Sequence, residues 1–307
     1  MKPLIIAGPT ASGKSVLALS LAKALNGEII NADSGQLYQE LPILSAMPEG
    51  DLQGVPHHLY GVLTYNEHSS AGWWRERVIP LIDTIQKRHH YPIIVGGTGL
   101  YFKALLKGIR DIPPIPNEVR FIIRKRFASL GKERFWQDLL LLDPLAEHYI
   151  KSTDSQRMQR AYEVKLATQH SLFSWPHMAE GISAFVIKIA PPRAELYTAC
   201  DKRFETFLER GAIDEVQALL RSKFSSEILS TLQTIGFHEL HQYIMGKCSL
   251  EEAISASKAH TRHYAKRQDT WFKHQIEANC LIPYTIASET LNRAQHYIVQ
   301  TLLTLQL

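Results

Sequence analysis

Cysteine is scarce in this sequence, and the few cysteines are scattered. The 307 residues include three, Cys200, Cys248 and Cys280, an odd number with no metal-ligand spacing. A disulfide framework is therefore excluded, and reduced thiols in a cytoplasmic protein are expected. The histidine pairs His57-His58 and His89-His90 also lack zinc-like partners, so they are predicted to be turn or surface residues.

Long apolar segments and a strong excess of one charge are missing as well. No stretch approaches the roughly 18 apolar residues that a membrane-spanning helix needs, and the chain enters a strand pattern almost at once instead of showing a signal peptide. We expect a cytoplasmic protein with no membrane partner. The 34 Lys and Arg against 30 Asp and Glu give a net charge of +4. This charge is too mild to indicate a nucleic-acid partner, so local clusters must decide.

What the sequence does contain is an alternation of short apolar runs with amphipathic segments. At 45% hydrophobic residues, the chain can bury a large core. Strands are predicted at residues 4–7, 28–31, 92–95, 185–190 and 281–284. Helices are predicted at residues 14–25, 71–86 with an interruption near Pro80, 117–134, 155–168, 194–221 and 251–273. Such alternation indicates an α/β fold, with a parallel sheet flanked by helices and ligands at the carboxyl ends of the strands.

A proline-rich break at residues 112–116 ends the first part of this pattern. The sequence that follows is basic and helical until the strand pattern returns at residue 185. An all-helical insertion explains this change most simply. The predicted domains are an α/β core of residues 1–112 and 183–307, and a helical insertion of residues 113–182.

The strongest motif is GPTASGKS at residues 8–15, which fits the phosphate-binding P-loop pattern in full between a strand and a helix. Two glycines allow the tight turn, the helix amino end attracts phosphate oxygens, Lys14 adds a positive charge, and Ser15 can ligate Mg²⁺. The motif predicts a phosphate site without specifying the reaction. Its predicted diphosphate-binding residues are Gly8, Pro9, Thr10, Ala11, Ser12, Gly13, Lys14 and Ser15.

Two further polar motifs follow predicted strands. Asp33, in NADSGQLY, ends the second strand and would face the same crevice as the loop, where it could be a general base or a simple turn aspartate. Thr98, in GGTGLY, follows the third strand and could touch substrate, or the glycines could only form the turn. Many P-loop ATPases carry an aspartate at this strand end, so its absence weakens an ATPase interpretation.

Basic residues cluster in three predicted helical segments. One lies around Arg120, a second contains Gln156, Arg157 and Arg160, and a third spans residues 260–273 with interleaved aromatic residues. Guanidinium and aromatic groups suit RNA phosphates and unstacked bases. Solvated charged helix faces, and packing of Trp271 into the core, remain alternative explanations.

Six segments occur in the order typical of one family. They are GPTASGKS, NADSGQLY, VPHHLYG, PIIVGGTGLYFKALLKGI, DSQRMQRAYEV and HYAKRQDTWFK. With them the chain resembles the bacterial tRNA dimethylallyltransferases along nearly its whole length. The resemblance implies transfer of a dimethylallyl group from dimethylallyl diphosphate to the exocyclic amine of the adenosine 3′ of the anticodon, in tRNAs that read codons beginning with U. Pyrophosphate leaves, and ATP is not consumed.

The resemblance also implies roles for individual residues. Lys14 would neutralise the leaving pyrophosphate, Arg203 would add a second cation, and Ser15 would place Mg²⁺. Asp33 would accept the amine proton, and Thr98 would line the channel where donor and acceptor meet. The implied tRNA-binding residues, on the anticodon stem and loop, are Asp33, Ser34, Gly35, Gln36, Thr98, Arg120, Gln156, Arg157, Met158, Gln159 and Arg160. We expect a monomer.

The match has departures, and other functions compete with it. Gly35 and Gln39 stand where the family usually has a larger residue and a basic residue, which affects only fine RNA contacts. One alternative is a P-loop small-molecule or nucleotide kinase, in which Asp33 deprotonates an alcohol. A second is a prenyltransferase that acts on free AMP, for which the basic insertion would be unnecessary. A third, a non-enzymatic RNA-binding protein, leaves the P-loop unexplained.

Overall fold

A computed structural model describes residues 2–49, 52–110, 112–176 and 181–304. The chain forms two compact units. The first, called the core unit, comprises Met1–Leu106 and Ile182–Leu307, and the second, called the helical unit, comprises Lys107–Gly181. The helical unit therefore starts before the proline-rich break at residues 112–116.

Parallel strands form the centre of the core unit. The described strands make one six-stranded sheet in the order β3-β2-β4-β1-β5-β6, and every neighbouring pair is parallel. Apolar residues fill both faces of the central strands, as a parallel sheet covered by helices on both sides requires. The strands are β1 (Leu4–Ala7), β2 (Gly27–Asn31), β3 (His57–His58), β4 (Tyr91–Gly96), β5 (Phe185–Ile189) and β6 (Cys280–Ile282).

Helices cover this sheet and build the rest of the chain. The described helices are α1 (Lys14–Ala24), α2 (Pro42–Ser45), α3 (Ala71–Lys87), α4 (Gly99–Lys107), α5 (Asn117–Leu142), α6 (Ala146–Tyr149), α7 (Ser155–Thr168), α8 (Arg193–Glu209), α9 (Ala212–Leu220), α10 (Ser226–Ser230), α11 (Phe237–Ile244), α12 (Leu250–Gln275) and α13 (Ser288–Thr304). Helices α1 and α13 pack on one sheet face, and α3, α4 and α12 pack on the other. A further apolar cluster joins α2, α8, α9 and α11. The predicted α/β class is confirmed.

Two predicted helices differ from those observed. The interruption near Pro80 is wrong, since α3 continues through this residue. Proline removes a single backbone donor, and the buried residues Trp74, Val78 and Ile82 hold both halves of the helix on the sheet. The single run predicted at 194–221 is in fact α8 and α9, because Gly211 adopts a left-handed conformation with φ of +91° and starts a new helix.

The helical unit has its own small core. Ile123, Phe135 and Leu139 of α5 pack against Met158 and Tyr162 of α7. Gly131 has φ +71° and ψ 170° inside α5, so this element is two helical stretches joined at a bend. The unit thus buries one face of each helix and leaves the basic residues of α5 on its surface.

Three of the four paired histidines are built into the fold, and His89 lies exposed in the turn after α3. His57 and His58 form β3, which pairs with β2. His58 and His90 both contact the buried carboxylate of Glu28, and Arg88 binds the same carboxylate through three hydrogen bonds. Burial alone would raise the pKa of Glu28, but these contacts outweigh it and lower the pKa to about 2. The prediction of turn or surface residues is therefore confirmed for His89, whereas His57, His58 and His90 are half-buried and their role here is structural.

Candidate active site

The loop of residues 8–15 joins β1 to α1, and two of its positions accept only glycine. A Cβ atom at Gly8 would lie 2.8 Å from the carbonyl oxygen of Ile189 on β5. Gly13 has φ +83°, and a Cβ atom there would lie 2.2 Å from the carbonyl oxygen of Ile286. Because both neighbours are backbone atoms that cannot move aside, these glycines let the loop lie against the ends of adjacent segments.

The loop also presents polar groups that lack a protein partner. The residue at the amino end of α1 is Gly13, which has no side chain to cap the N–H groups of the first turn. The Ser12 hydroxyl is buried and has no hydrogen-bond partner within the described part of the chain. Unpaired donors at a helix amino end, together with the helix dipole, attract anions. This arrangement can hold a phosphate or diphosphate group.

Lys14 is folded onto its own loop. It is 9% exposed, and its Nζ donates a 2.6 Å hydrogen bond to the carbonyl oxygen of Pro9. Burial lowers the pKa of Lys14 to about 7, while nearby Asp33 opposes this effect and nearby Arg203 adds to it. Since burial makes the ammonium costly, an anion bound in the loop would restore the charged form.

Arg203, on α8, brings a second cation to the loop. Its Nη1 donates a 3.2 Å hydrogen bond to Oγ1 of Thr10. Burial lowers the pKa of this guanidinium, and the charge of Asp33 acts in the opposite direction. A guanidinium is well suited to the oxygens of a diphosphate. The structure thus places Arg203 beside the loop that the sequence predicts to bind the donor, although 193 residues separate it from Thr10.

Asp33 follows β2 and is held by a buried asparagine. The side chain of Asn31 accepts a 2.7 Å hydrogen bond from the Asp33 N–H and donates one of 3.0 Å to the Asp33 carbonyl oxygen. One carboxylate oxygen, Oδ1, accepts from the N–H of Gly35 at 3.1 Å. The other, Oδ2, makes no hydrogen bond within the described ranges and can take a proton. Asn31 is the first residue of NADSGQLY but is not among the predicted site residues.

Thr98 and Ser34 tie the end of β4 to the end of β2. Oγ1 of Thr98 accepts from the Ser34 N–H at 2.9 Å and donates to the Ser34 hydroxyl at 3.3 Å. The strands come so close here that a Cβ atom at Gly96 would lie 2.1 Å from the carbonyl oxygen of Ala32. Thr98 and Asp33 are therefore brought together at adjacent strand ends, as parallel pairing requires.

The side chain of Gln36 is held within the turn that follows Asp33. Its side-chain Nε2 donates to the carbonyl oxygens of Ser45 at 3.0 Å and Ala46 at 2.7 Å. Both N–H groups of this amide are thus used within the protein, and its contact with RNA stays a prediction. The Gly35 N–H is likewise bound to Asp33. These contacts shape the turn that carries Asp33.

A cavity of about 220 Å³ opens beside these strand ends. One wall is formed by Ser34 and the residues Gly97 to Leu100, which include Thr98, and α12 forms the other. Trp271 packs against the backbone of Gly99, where a Cβ atom would lie 2.3 Å from the indole ring. The lining residues from α12 are Tyr264, Arg267, Gln268, Trp271 and Phe272. The third basic and aromatic segment of the sequence therefore faces the site through part of its length.

In the helical unit, only some of the predicted RNA contacts are accessible. The side chain of Arg157 is 66% exposed and pairs with Asp154, the residue just before α7. The side chain of Arg160 is 38% exposed and pairs with Glu163 on the same helix. Met158 is fully buried in the core of the unit, so its prediction as an RNA contact is wrong for the side chain. The remaining predicted residues are Gln156, which is exposed, and Gln159 and Arg120, which are half-buried.

The described residues contain no group of three or more His, Cys, Asp or Glu side chains that could hold a metal ion. Magnesium often uses few protein ligands, with substrate phosphates and waters completing its shell. The exposed hydroxyl of Ser15, in the first turn of α1, is an oxygen donor of the right kind. Separately, none of the helices in the described ranges has the length and apolar character to cross a membrane.

Comparisons with known proteins identify the family. The sequence model described as IPP transferase matches residues 36–275. A tRNA dimethylallyltransferase of Caulobacter sp. (strain K31) is 43% identical over 92% of this chain and 94% of its own, and one of Rickettsia felis (strain ATCC VR-1525 / URRWXCal2) is 41% identical over 93% and 94%.

Solved structures agree with the sequence comparisons. The tRNA isopentenylpyrophosphate transferase of Bacillus halodurans has a TM-score of 0.69 at 30% identity, with 99% of this chain and 97% of that chain covered. A eukaryotic dimethylallyltransferase acting on tRNA has a TM-score of 0.80 at 28% identity, with 97% and 77% covered. The family match spans well over half of the residues and the relatives exceed 40% identity, so this chain belongs to the IPP transferase family, together with the tRNA dimethylallyltransferases.

Proposed function

We propose that this protein transfers a dimethylallyl group from dimethylallyl diphosphate to the N6 amine of the adenosine 3′-adjacent to the anticodon, in tRNAs that read codons beginning with U. The new bond joins N6 to C1 of the dimethylallyl group, the bond between C1 and the diphosphate oxygen breaks, and pyrophosphate leaves. The observation that carries the proposal is the placement of Lys14 in the loop and of Arg203 against it through Thr10, both within electrostatic reach of Asp33 after β2.

The two cations suit a reaction in which negative charge grows on a leaving diphosphate. Lys14 is buried and Arg203 is half-buried, so water would screen their interaction with that charge less than it does at an exposed surface. Neither residue has an ion pair within the described part of the chain, so both can turn to the donor. Their role is to bind the diphosphate and stabilise it as it departs.

Asp33 is suited to accept the proton of the attacking amine. Its backbone is fixed by Asn31, and its Oδ2 atom is free of hydrogen bonds within the described residues. A base held in a fixed position can take the amine proton as the new bond forms. The neighbouring Thr98 and Ser34 line the cavity in which the amine would approach the donor.

The residues also fit a magnesium ion. When bound, Mg²⁺ would neutralise part of the diphosphate charge. Ser15 would hold it, because this hydroxyl is exposed next to Lys14 at the start of α1.

Each unit carries basic residues that suit tRNA binding. Arg267 lines the cavity on α12, and Arg157 and Arg160 lie on the surface of the helical unit. Such groups pair with phosphates or stack on unpaired bases. The names of the relatives support tRNA as the acceptor, and the anticodon arm is the part that we propose is gripped.

Kinase chemistry is a weaker explanation of the same loop. In this chain β4 ends at Gly96, and Gly97 and Thr98 follow where many P-loop ATPases have an aspartate near the metal. The remaining alternative, prenylation of free AMP, leaves the basic surface of the helical unit without a partner.

The test is a labelling assay with two acceptors. Radiolabelled dimethylallyl diphosphate and Mg²⁺ are incubated with unmodified tRNA or with AMP, and a parallel reaction contains labelled ATP. We expect label in tRNA, at the adenosine 3′ of the anticodon. Label in AMP alone, or consumption of ATP without transfer to tRNA, would overturn the proposal.

A further inference from the structure

Gln268, on α12, joins the diphosphate loop to the turn that carries Thr98. Its Oε1 accepts a 2.8 Å hydrogen bond from the backbone N–H of Thr10, and its Nε2 donates a 2.8 Å hydrogen bond to the carbonyl oxygen of Gly97. The residue is 6% exposed. A single amide therefore spans the two elements whose separation sets the distance between donor and acceptor.

The surroundings of Gln268 are shaped to receive this amide. A Cβ atom at Gly97 would lie 2.2 Å from Nε2 of Gln268, so the glycine is needed for the hydrogen bond to form. On its other side, Thr10 is bound through its hydroxyl by Arg203. Thr10 is thus fixed from two directions, through its backbone by α12 and through its side chain by α8.

We propose that Gln268 is a positioning residue for the transfer reaction: it sets the distance of the diphosphate loop from the Thr98 turn, and so the approach of donor and acceptor. The inference rests on the proposed function. It also accounts for the place of Tyr264 and Trp271, which line the cavity on the same helix. When Gln268 is bonded at both ends, this aromatic wall is held at a fixed distance from the loop.

An amide of this length meets both requirements at every pH. An alanine would leave the Thr10 N–H and the Gly97 carbonyl oxygen unpaired in a buried place. An ionised carboxylate could accept from Thr10, but it would face the Gly97 oxygen without a hydrogen to donate. A protonated carboxyl group could make both bonds. The kcat/KM of Gln268→Glu should therefore depend on pH in a way that the kcat/KM of Gln268→Ala does not.

The experiment compares Gln268→Ala with Gln275→Ala, an exposed glutamine at the end of the same helix. Single-turnover transfer, KM for dimethylallyl diphosphate, Kd for inorganic pyrophosphate with Mg²⁺, and Kd for the tRNA are measured. For Gln268→Ala we expect kcat/KM for the donor to fall between about 10-fold and 100-fold, as misplacement of reacting groups causes. The tRNA Kd should stay within about two-fold. Gln275→Ala should match the wild type.

The second variant tests the hydrogen bonds themselves. For Gln268→Glu, the ratio of its kcat/KM to that of the wild type should rise as the pH is lowered from about 8.5 to about 6, because the carboxyl group gains a proton to donate. The ratio for Gln268→Ala should not change with pH. A merely structural role would not produce this difference.

Three results would overturn the inference. One is a kcat/KM for Gln268→Ala within about two-fold of the wild type. Another is equal weakening of pyrophosphate and tRNA binding, which would indicate general loss of structure. The third is the same activity for Gln268→Glu and Gln268→Ala at every pH. If the wild type itself fails to label tRNA, the proposed function fails, and the pyrophosphate titrations still report on Gln268 and the loop.

Discussion

Replacing Asp33 by asparagine removes the proposed base while leaving its surroundings nearly intact. The amide oxygen of the new side chain can still accept from the N–H of Gly35, as Oδ1 does now. The backbone stays fixed by Asn31. The substitution therefore changes charge and basicity far more than shape, and the variant should fold as the wild type does.

Two effects of different size should follow. Loss of a general base slows a reaction by about 10²- to 10⁴-fold, which corresponds to roughly 3 to 5 kcal/mol of activation free energy. In addition, the charge of Asp33 raises the pKa of Lys14, so its removal moves that pKa further below its ordinary value and weakens donor binding at neutral pH. Single-turnover transfer at saturating donor isolates the first effect, and a donor titration measures the second.

Asp83→Asn is the matched control, since Asp83 is an exposed aspartate on α3. It should leave both the rate and the donor affinity unchanged. For Asp33→Asn the tRNA Kd should remain close to that of the wild type. A single-turnover rate within about three-fold of the wild type would remove Asp33 from the role of base.

Three further predictions address the loop, the sheet and the RNA surface. Burial lowers the pKa of Lys14 to about 7, and the ammonium is the form that binds an anion. Calorimetry should therefore show donor affinity falling as the pH rises from about 7 to about 9. A constant affinity over this range would contradict the prediction. In a denaturant titration, Gly96→Ala should lower the free energy of unfolding by about 1–3 kcal/mol or more, because its Cβ atom would meet the carbonyl oxygen of Ala32. The control Gly35→Ala should cost far less, because its Cβ atom would make only an ordinary 3.5 Å contact. Arg160→Ala should weaken tRNA binding and lower the slope of log Kd against log salt by about 1, and unchanged values would make this arginine a plain surface residue.

Local sequence determined much of the fold, and its failures have physical causes. The strand and helix alternation predicts the parallel sheet because each element buries its own apolar pattern. The two-residue strand β3 has no such pattern, and it exists only because β2 offers an edge and Glu28 binds His58. Pro80 was a misleading signal for a similar reason, since packing of α3 on the sheet outweighs the loss of one backbone donor.

The candidate site also contains residues that the sequence predicts and residues that it does not. The loop and the strand-end residues are predictable, since a glycine motif and parallel strand ends are local features. Gln268 is not, although it lies within the segment HYAKRQDTWFK, because its partners lie 258 and 171 residues away. Met158 shows the opposite error, because a buried residue was predicted to contact RNA. The predicted residues 156–160 cover more than one helical turn, so at least one of them must face the core of the helical unit.

The charges around the loop themselves favour a diphosphate that departs. The charge of Asp33 raises the pKa of both Lys14 and Arg203, and the three groups together carry about one positive charge when all are ionised. A diphosphate would balance the two cations. If Asp33 takes the amine proton, as proposed, it would no longer support the ammonium of Lys14, and the hold on the product diphosphate would weaken. The arrangement that promotes bond breaking would thereby also favour release of pyrophosphate, which a loop built to retain a nucleotide would not require.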